Sequence, residues 1–271
     1  MDDLGKFHLV AIGGFDPGGG AGILRDGLTA RALGCTFRLV GTAWAEQSPL
    51  HGVQSLDPRP RHELAKAIGL ALKDAPLGRT AVKIGMVINA ATVGTIATSL
   101  SSFGGPVVFD PVLGATAGGA LFDSEGVSLM EALAPLVKRS HVFTPNAQEA
   151  ALMCDSTVEG IEDAAATARM IAFHGARAVV VKGGHLNTEN VCDVLVHEGE
   201  LTAISSPRSS GPNVRGTGCT YASSLALFLA RGEAIGKACE LAQAHVAEAI
   251  RLARPAGNEW HLGHGLPNQT L

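Results

Sequence analysis

The chain has 271 residues, enough for one large α/β unit or two small ones, and its 46% hydrophobic content supplies ample core. Charged residues make up only 17%, the net charge is −4 and no basic run stands out, which argues against a nucleic-acid partner. Aromatic residues are 4%, too few for a base-stacking platform, and no apolar run reaches the ~18 residues of a membrane helix.

The acidic N-terminus, Met1 to Lys6, leads straight into a strand and does not resemble a secretory signal. His8 to Ile12 reads as that strand, followed by a glycine-rich turn and a helix over about 20–33 that Gly34 stops. Phe37 to Trp44 is a second strand and Gly52 to Leu56 a short one. Arg61 to Lys73 is helical, with Leu64, Ala67, Ile68, Ala71 and Leu72 on one face. Strands at Ala81–Met86, Pro106–Asp110 and His141–Thr144 alternate with helices over about 90–102 and 124–137, and Asp123 reads as a helix start. Glu162 to His174 is a helix ending at Gly175, and Ala178 to Val181 is an apolar strand covered on both faces. Asp193–His197 and Leu201–Ser205 form a hairpin across Glu198-Gly199-Glu200. Helices over about 217–231 and 233–253 follow, and the tail after Pro255 reads as a surface segment. Such β–α alternation predicts a mainly parallel sheet with helices on both faces. No linker or composition shift divides the chain, so one domain over 1–271 is expected.

Cys35, Cys154, Cys192, Cys219 and Cys239 are odd in number and form no CxxC pair, which fits free thiols in a reducing cytoplasm and argues against zinc.

The most informative stretch is Val214 to Thr220. Gly216 and Gly218 permit a tight turn, and the apolar run after them opens a helix there. A helix start offers unpaired N–H groups and the positive dipole end, so it can hold an anion. The Cys219 thiol sits among those amides, where a lowered pKa is expected. Ligands of open α/β sheets bind at the carboxyl ends of strands. There this chain carries Gly13 to Ile23, Lys83 to Met86, Asp110-Pro111-Val112, Thr144 to Glu149, Lys182 to His185 and the Gly216 turn.

The ordered set GGFDPGGGAGI, KIGM, FDPV, FTPNAQEA, VVVKGGH and RGTGCT resembles the hydroxymethylpyrimidine/phosphomethylpyrimidine kinases of thiamin biosynthesis. The likeness runs from about residue 8 to 253. It implies a ribokinase-like three-layer α/β/α sandwich, ATP with Mg²⁺ as donor system, and an aminopyrimidine alcohol or its monophosphate as acceptor. It leaves open whether K⁺ assists. A cytoplasmic homodimer is expected, since related kinases are often dimers.

The resemblance also implies roles. The amides of Gly216, Thr217, Gly218 and Cys219 would hold the transferring phosphoryl group, with Cys219 where sugar kinases of the superfamily carry an Asp base. Asn146 and Glu149 match the motif that orders Mg²⁺, although the same pair also fits a helix cap. Asp110 would be a second acidic contact to the metal, and Lys182 would neutralise nucleotide phosphate. For the pyrimidine the resemblance points to the loop Gly19, Gly20, Ala21 and Gly22, and to Asp26, Gln47, Met86 and Val112. An amide such as Gln47 can both donate to and accept from an aminopyrimidine edge.

Three departures from the family pattern stand out. The segment Gln47 to Val53 is one residue longer than usual. Ala117-Gly118-Gly119 lacks the acid of the usual Ser-Gly-Asp. Arg215 replaces a common His before the Gly216 turn, where it either adds a phosphate contact or faces solvent. Two competing functions are a pyridoxal kinase and a non-catalytic pyrimidine-binding regulator.

Overall fold

The computed structural model describes residues 5–48, 52–114, 121–184, 186, 188–209, 211, 212, 214–256 and 259–263, without the side chains at 45–48, 53 and 259. Strand β1 (His8–Phe15) leads through a glycine loop into α1 (Gly22–Ala32), and β2 (Thr36–Ser48) is followed by β3 (Gly52–Pro58). Next come α2 (Arg61–Lys73), β4 (Thr80–Ile84), α3 (Ala90–Ser99), β5 (Val107–Phe109), α4 (Leu129–Arg139), β6 (Val142–Phe143) and α5 (Ala147–Cys154). Then follow α6 (Ile161–Phe173), β7 (Ala178–Val181), β8 (Asn190–His197), β9 (Glu200–Pro207), α7 (Thr217–Ala230) and α8 (Ile235–Arg251). A small hairpin, β10 (Arg254–Ala256) and β11 (Glu259–His261), comes after α8.

Among the described residues, nine strands form one sheet in the order β3-β2-β1-β4-β5-β6-β7-β8-β9. The run from β2 to β7 is parallel, with β3 antiparallel at one edge and β8–β9 antiparallel at the other. Alternation along each strand divides the core into two layers. Val10, Ile12, Val82 and Ile84 pack with Leu64, Ile68, Val93, Leu133 and Ile171 of the helices on one side. Leu9, Ala11, Ala81 and Val108 pack with Ile23, Ala30, Leu225 and Ala242 on the other. The result is the three-layer sandwich with a mainly parallel sheet. Chain order reverses at β1, which pairs with β2 on one side and β4 on the other. A crevice opens at the carboxyl ends of strands at such a point.

Three expectations need correction. Helix α4 starts at Leu129, capped by Ser128, whose hydroxyl accepts from Glu131 N at 3.3 Å. Asp123 instead bridges Asn89, and its Oδ1 accepts from Glu125 N at 2.8 Å. Glu125 and Gly126 have positive φ, so no helix can run through them. The sequence from Ala147 also forms a separate helix. The tail is more than surface: Leu262 is buried with Val214, Ala249 and Ala253.

Candidate active site

A cavity of about 470 Å³ opens at the carboxyl ends of the central strands. Its wall includes Ala21, Gly22, Asp26, Met86, Asp110, Val112, Asn146, Glu149, Lys182, Arg215, Gly216, Thr217, Gly218 and Cys219, so most of the candidate residues converge. Gly19 and Gly20 shape the loop without forming the wall. The Gln47 side chain and Ala117-Gly118-Gly119 lie outside the described residues. The Gln47 backbone pairs with Val53 beside an irregularity in the β2–β3 register.

The turn before α7 forms because residue 216 is glycine. Its φ is +83°, and a Cβ there would stand 2.2 Å from Gly20 O. This backbone contact seals the α7 turn against the β1–α1 loop. Cys219 lies in the first turn of α7, buried, and accepts from the Gly22 N–H. Burial pushes its thiol above the ordinary value, and the nearby Lys83 ammonium only opposes that shift. The lowered pKa expected from the helix start is therefore corrected to a raised one.

Beneath Cys219, Asp26, expected at the pyrimidine, is instead held in a buried pair with Lys83, a residue given no role from the motifs. Lys83 Nζ reaches Asp26 Oδ1 at 2.9 Å and Oδ2 at 3.0 Å, with both side chains buried. Ser223, four residues beyond Cys219 on α7, donates to Asp26 Oδ1 at 2.9 Å. Burial raises the Asp26 carboxyl, and Lys83 and Ser223 oppose the rise. Burial alone would lower the Lys83 ammonium, but Asp26 reverses this and holds it above its usual value. The signal in the sequence was a lysine inside a strand otherwise apolar on both faces.

Across the turn, Lys182 Nζ bonds Asp110, and Thr144 Oγ1 donates to the same carboxylate at 3.3 Å. A Cβ on Gly218 would sit 3.4 Å from Lys182 Nζ and 3.6 Å from Asp110 Oδ2. Asn146 and Glu149 form a capping box on α5: Asn146 Oδ1 accepts from Glu149 N at 2.9 Å, and Glu149 Oε2 accepts from Asn146 N at 2.8 Å. Burial pushes Glu149 up to about 7, Lys182 opposes this, and Asp110 adds to it. Among the described residues no group of three or more His, Cys, Asp or Glu could hold a metal ion. Two carboxylates on one cavity wall still suit Mg²⁺, which typically takes one or two carboxylates, substrate phosphates and water.

The flanks of the cavity differ. On the β1–β4 side Met86 packs with Ala43, Ile88 and Leu121, and Val112 leans on them. On the β8–α8 side Val191, Val246 and Ile250 contribute apolar wall. Asp193 is buried there, its Oδ1 accepting from Gly183 N at 2.8 Å and its Oδ2 from Gln243 Nε2 at 3.0 Å.

The sandwich, the amide turn and a cavity with paired cations define a ribokinase-like phosphotransferase. The model of the phosphomethylpyrimidine kinase family matches residues 16–267, and the chain belongs to that family. The hydroxymethylpyrimidine/phosphomethylpyrimidine kinase of Rhizobium meliloti is 38% identical over 246 residues, 90% of each chain. The thiamine biosynthesis bifunctional protein ThiED of Geobacter sulfurreducens is 36% identical over 97% of this chain, which spans only 52% of that longer protein. Among solved structures, the pyridoxal kinase of Staphylococcus aureus in complex with ADP superposes with a TM-score of 0.85 at 25% identity. That match covers 97% of this chain and 95% of the kinase.

Proposed function

We propose that this protein, acting as one kinase unit, uses ATP to phosphorylate 4-amino-5-hydroxymethyl-2-methylpyrimidine, its monophosphate, or both, in thiamin biosynthesis. The observation that carries the reading is the α7 turn, which borders the same cavity as the apolar Met86–Val112 flank and the Asp110–Lys182 pair. The acceptor ring lies against Met86 and Val112, where Gln47 reads its polar edge, while Asp26, expected beside it, is buried in its pair with Lys83 and supports that wall from beneath. The nucleotide takes the β8–α8 flank, and Lys182 meets its phosphates. Amides of Gly216 to Cys219 hold the transferring group, since such transfer rests on positioning and charge neutralisation. Asp110 and Glu149, with Asn146 fixing Glu149, would hold Mg²⁺. When bound, that ion supplies charge neutralisation at the phosphates. Cys219 faces the acceptor hydroxyl as a protonated thiol in the ligand-free protein, and taking up the hydroxyl proton requires it to ionise first. The reading includes a cytoplasmic homodimer that works on small molecules rather than nucleic acid, with K⁺ as an optional second cation.

A second reading, pyridoxal as acceptor, is favoured by the close superposition on a pyridoxal kinase. One experiment decides. The protein is incubated with Mg²⁺–ATP and the alcohol, its monophosphate or pyridoxal, and the products are identified by mass. Phosphorylated pyrimidine is expected. Phosphorylated pyridoxal alone would move the assignment to the second reading. Pyrimidine binding without turnover would indicate a regulator.

A further inference from the structure

Lys182 and Arg215 each stand beside the amide turn of α7, against different loops. Lys182 stands against Gly218, on the side of Asp110. Arg215 stands against the β1–α1 loop. Its Nη2 meets Asp16 Oδ2 at 3.3 Å, and its Nη1 is 3.6 Å from where a Cβ of Gly20 would lie. Asp16 is itself fixed by the loop, accepting from Gly18 N and Ala21 N at 3.0 Å each. The Arg215–Asp16 pair and Ala21 all border the cavity.

We infer that Arg215 reads the phosphate of a monophosphate acceptor and so sets the preference between the two pyrimidine acceptors. The inference rests on the pyrimidine-kinase reading and assigns Arg215 to the acceptor rather than to ATP. An alcohol brings no charge to the turn. A monophosphate brings about −1.5 to −2 near neutral pH, so two phosphate groups then meet at one helix end. In that second transfer an acceptor phosphate oxygen bonds to the γ-phosphorus of ATP, the bond from that phosphorus to the β,γ-bridging oxygen breaks, and ADP leaves with the electron pair. The acceptor oxygen is already deprotonated in the dianion, so no proton needs removal. The repulsion between the two phosphate groups still needs a cation on the acceptor side. A guanidinium fork held in place by a carboxylate meets a phosphate in two parallel hydrogen bonds, which an imidazole or an ammonium cannot reproduce.

The test compares the wild type with Arg215→Met, Arg215→His and Arg215→Lys. Initial rates are measured on the alcohol and the monophosphate, and binding of each acceptor without ATP is measured by equilibrium dialysis. For Arg215→Met, kcat/KM for the monophosphate is expected to fall about 10-fold or more beyond any change for the alcohol. The dialysis ratio should move the same way while KM for ATP shifts less. Arg215→Lys should keep part of the preference, and Arg215→His less. Equal losses on both acceptors, or a loss confined to KM for ATP, would overturn the inference. If the wild type turns over neither acceptor, the functional reading falls, yet the dialysis ratio still decides the role of Arg215. If Arg215→Met does not fold, Arg215→Lys alone decides: an unchanged dialysis ratio overturns the inference and a reduced one supports it.

Discussion

Replacing Lys83 with methionine should remove much of the protein's stability while leaving its shape almost intact. Methionine fills most of the volume, and the change leaves Asp26 with Ser223 as its remaining partner in a site with no access to water. Truncating one member of a buried, hydrogen-bonded ion pair typically costs about 3–5 kcal/mol, against a total stability of roughly 5–15 kcal/mol. Urea unfolding followed by circular dichroism at pH 7.5 measures the loss. The double change Lys83→Met with Asp26→Leu should recover most of it, because an apolar pair of similar volume replaces the ion pair at little net cost. The pH dependence fixes the cause. Burial already raises the Asp26 carboxyl in the intact pair, and without the ammonium only the Ser223 hydroxyl and the charge of Arg25 oppose this rise. The folded single variant then holds a proton that its unfolded chain releases near pH ~3.9. Its stability is greatest below that unfolded value and is lost as pH rises through the folded one. The single variant should therefore gain on the double variant between pH 7.5 and 5. A loss under about 1 kcal/mol, or a double variant no better than the single, would refute an ion pair of this strength.

The fold was legible wherever local pattern and tertiary surroundings agree. Alternation separates Leu9 and Ala11 from Val10 and Ile12, and these residues do face opposite helix layers. The expected bounds of α2 and β7 match the structure because an apolar stripe and an apolar run each mark them. The start of α4 misled because acidic residues at 123 and 125 mimic a helix N-terminus, while backbone at positive φ at Glu125 and Gly126 forbids one. Strands of three residues carry no period, so β10 and β11 left no trace. The site was legible at strand ends, where glycine and ionisable residues interrupt apolar runs. The pairing of Lys83 with Asp26 was not legible because the two lie 57 residues apart in sequence. The Cys219 thiol shows how magnitude decides between two correct effects. A helix start is typically worth about 0.3–1 kcal/mol to a negative charge. Full burial can shift a pKa by several units, each ~1.4 kcal/mol. Sequence shows the helix start but not the depth.

Gly216→Ala should abolish turnover and lower thermal stability, since its Cβ would stand 2.2 Å from Gly20 O at a φ of +83°. Near-native melting and activity would show that the seal between the two loops is dispensable. Without divalent cations, stability should fall as pH rises from 6 to 8, because Glu149 titrates near 7 when folded and near ~4.3 when unfolded. Glu149→Gln should remove that slope, and an equal slope in wild type and variant would assign it to another group. Cys219 should distinguish the two acceptors. Burial raises its thiol and leaves it little exposed, so at neutral pH iodoacetamide should label it more slowly than the half-buried Cys154. If Cys219 takes the proton of an acceptor hydroxyl, Cys219→Ala should lower kcat on the alcohol by roughly 10²-fold or more. A monophosphate dianion has no proton to give up, so its kcat should fall far less. Equal losses on both acceptors would mean that the side chain shapes the turn instead of accepting a proton. Cys219→Ser separates size from acidity: serine fits the space but does not ionise near neutral pH, and full rescue on the alcohol would leave the turn amides and the cations to carry the transfer.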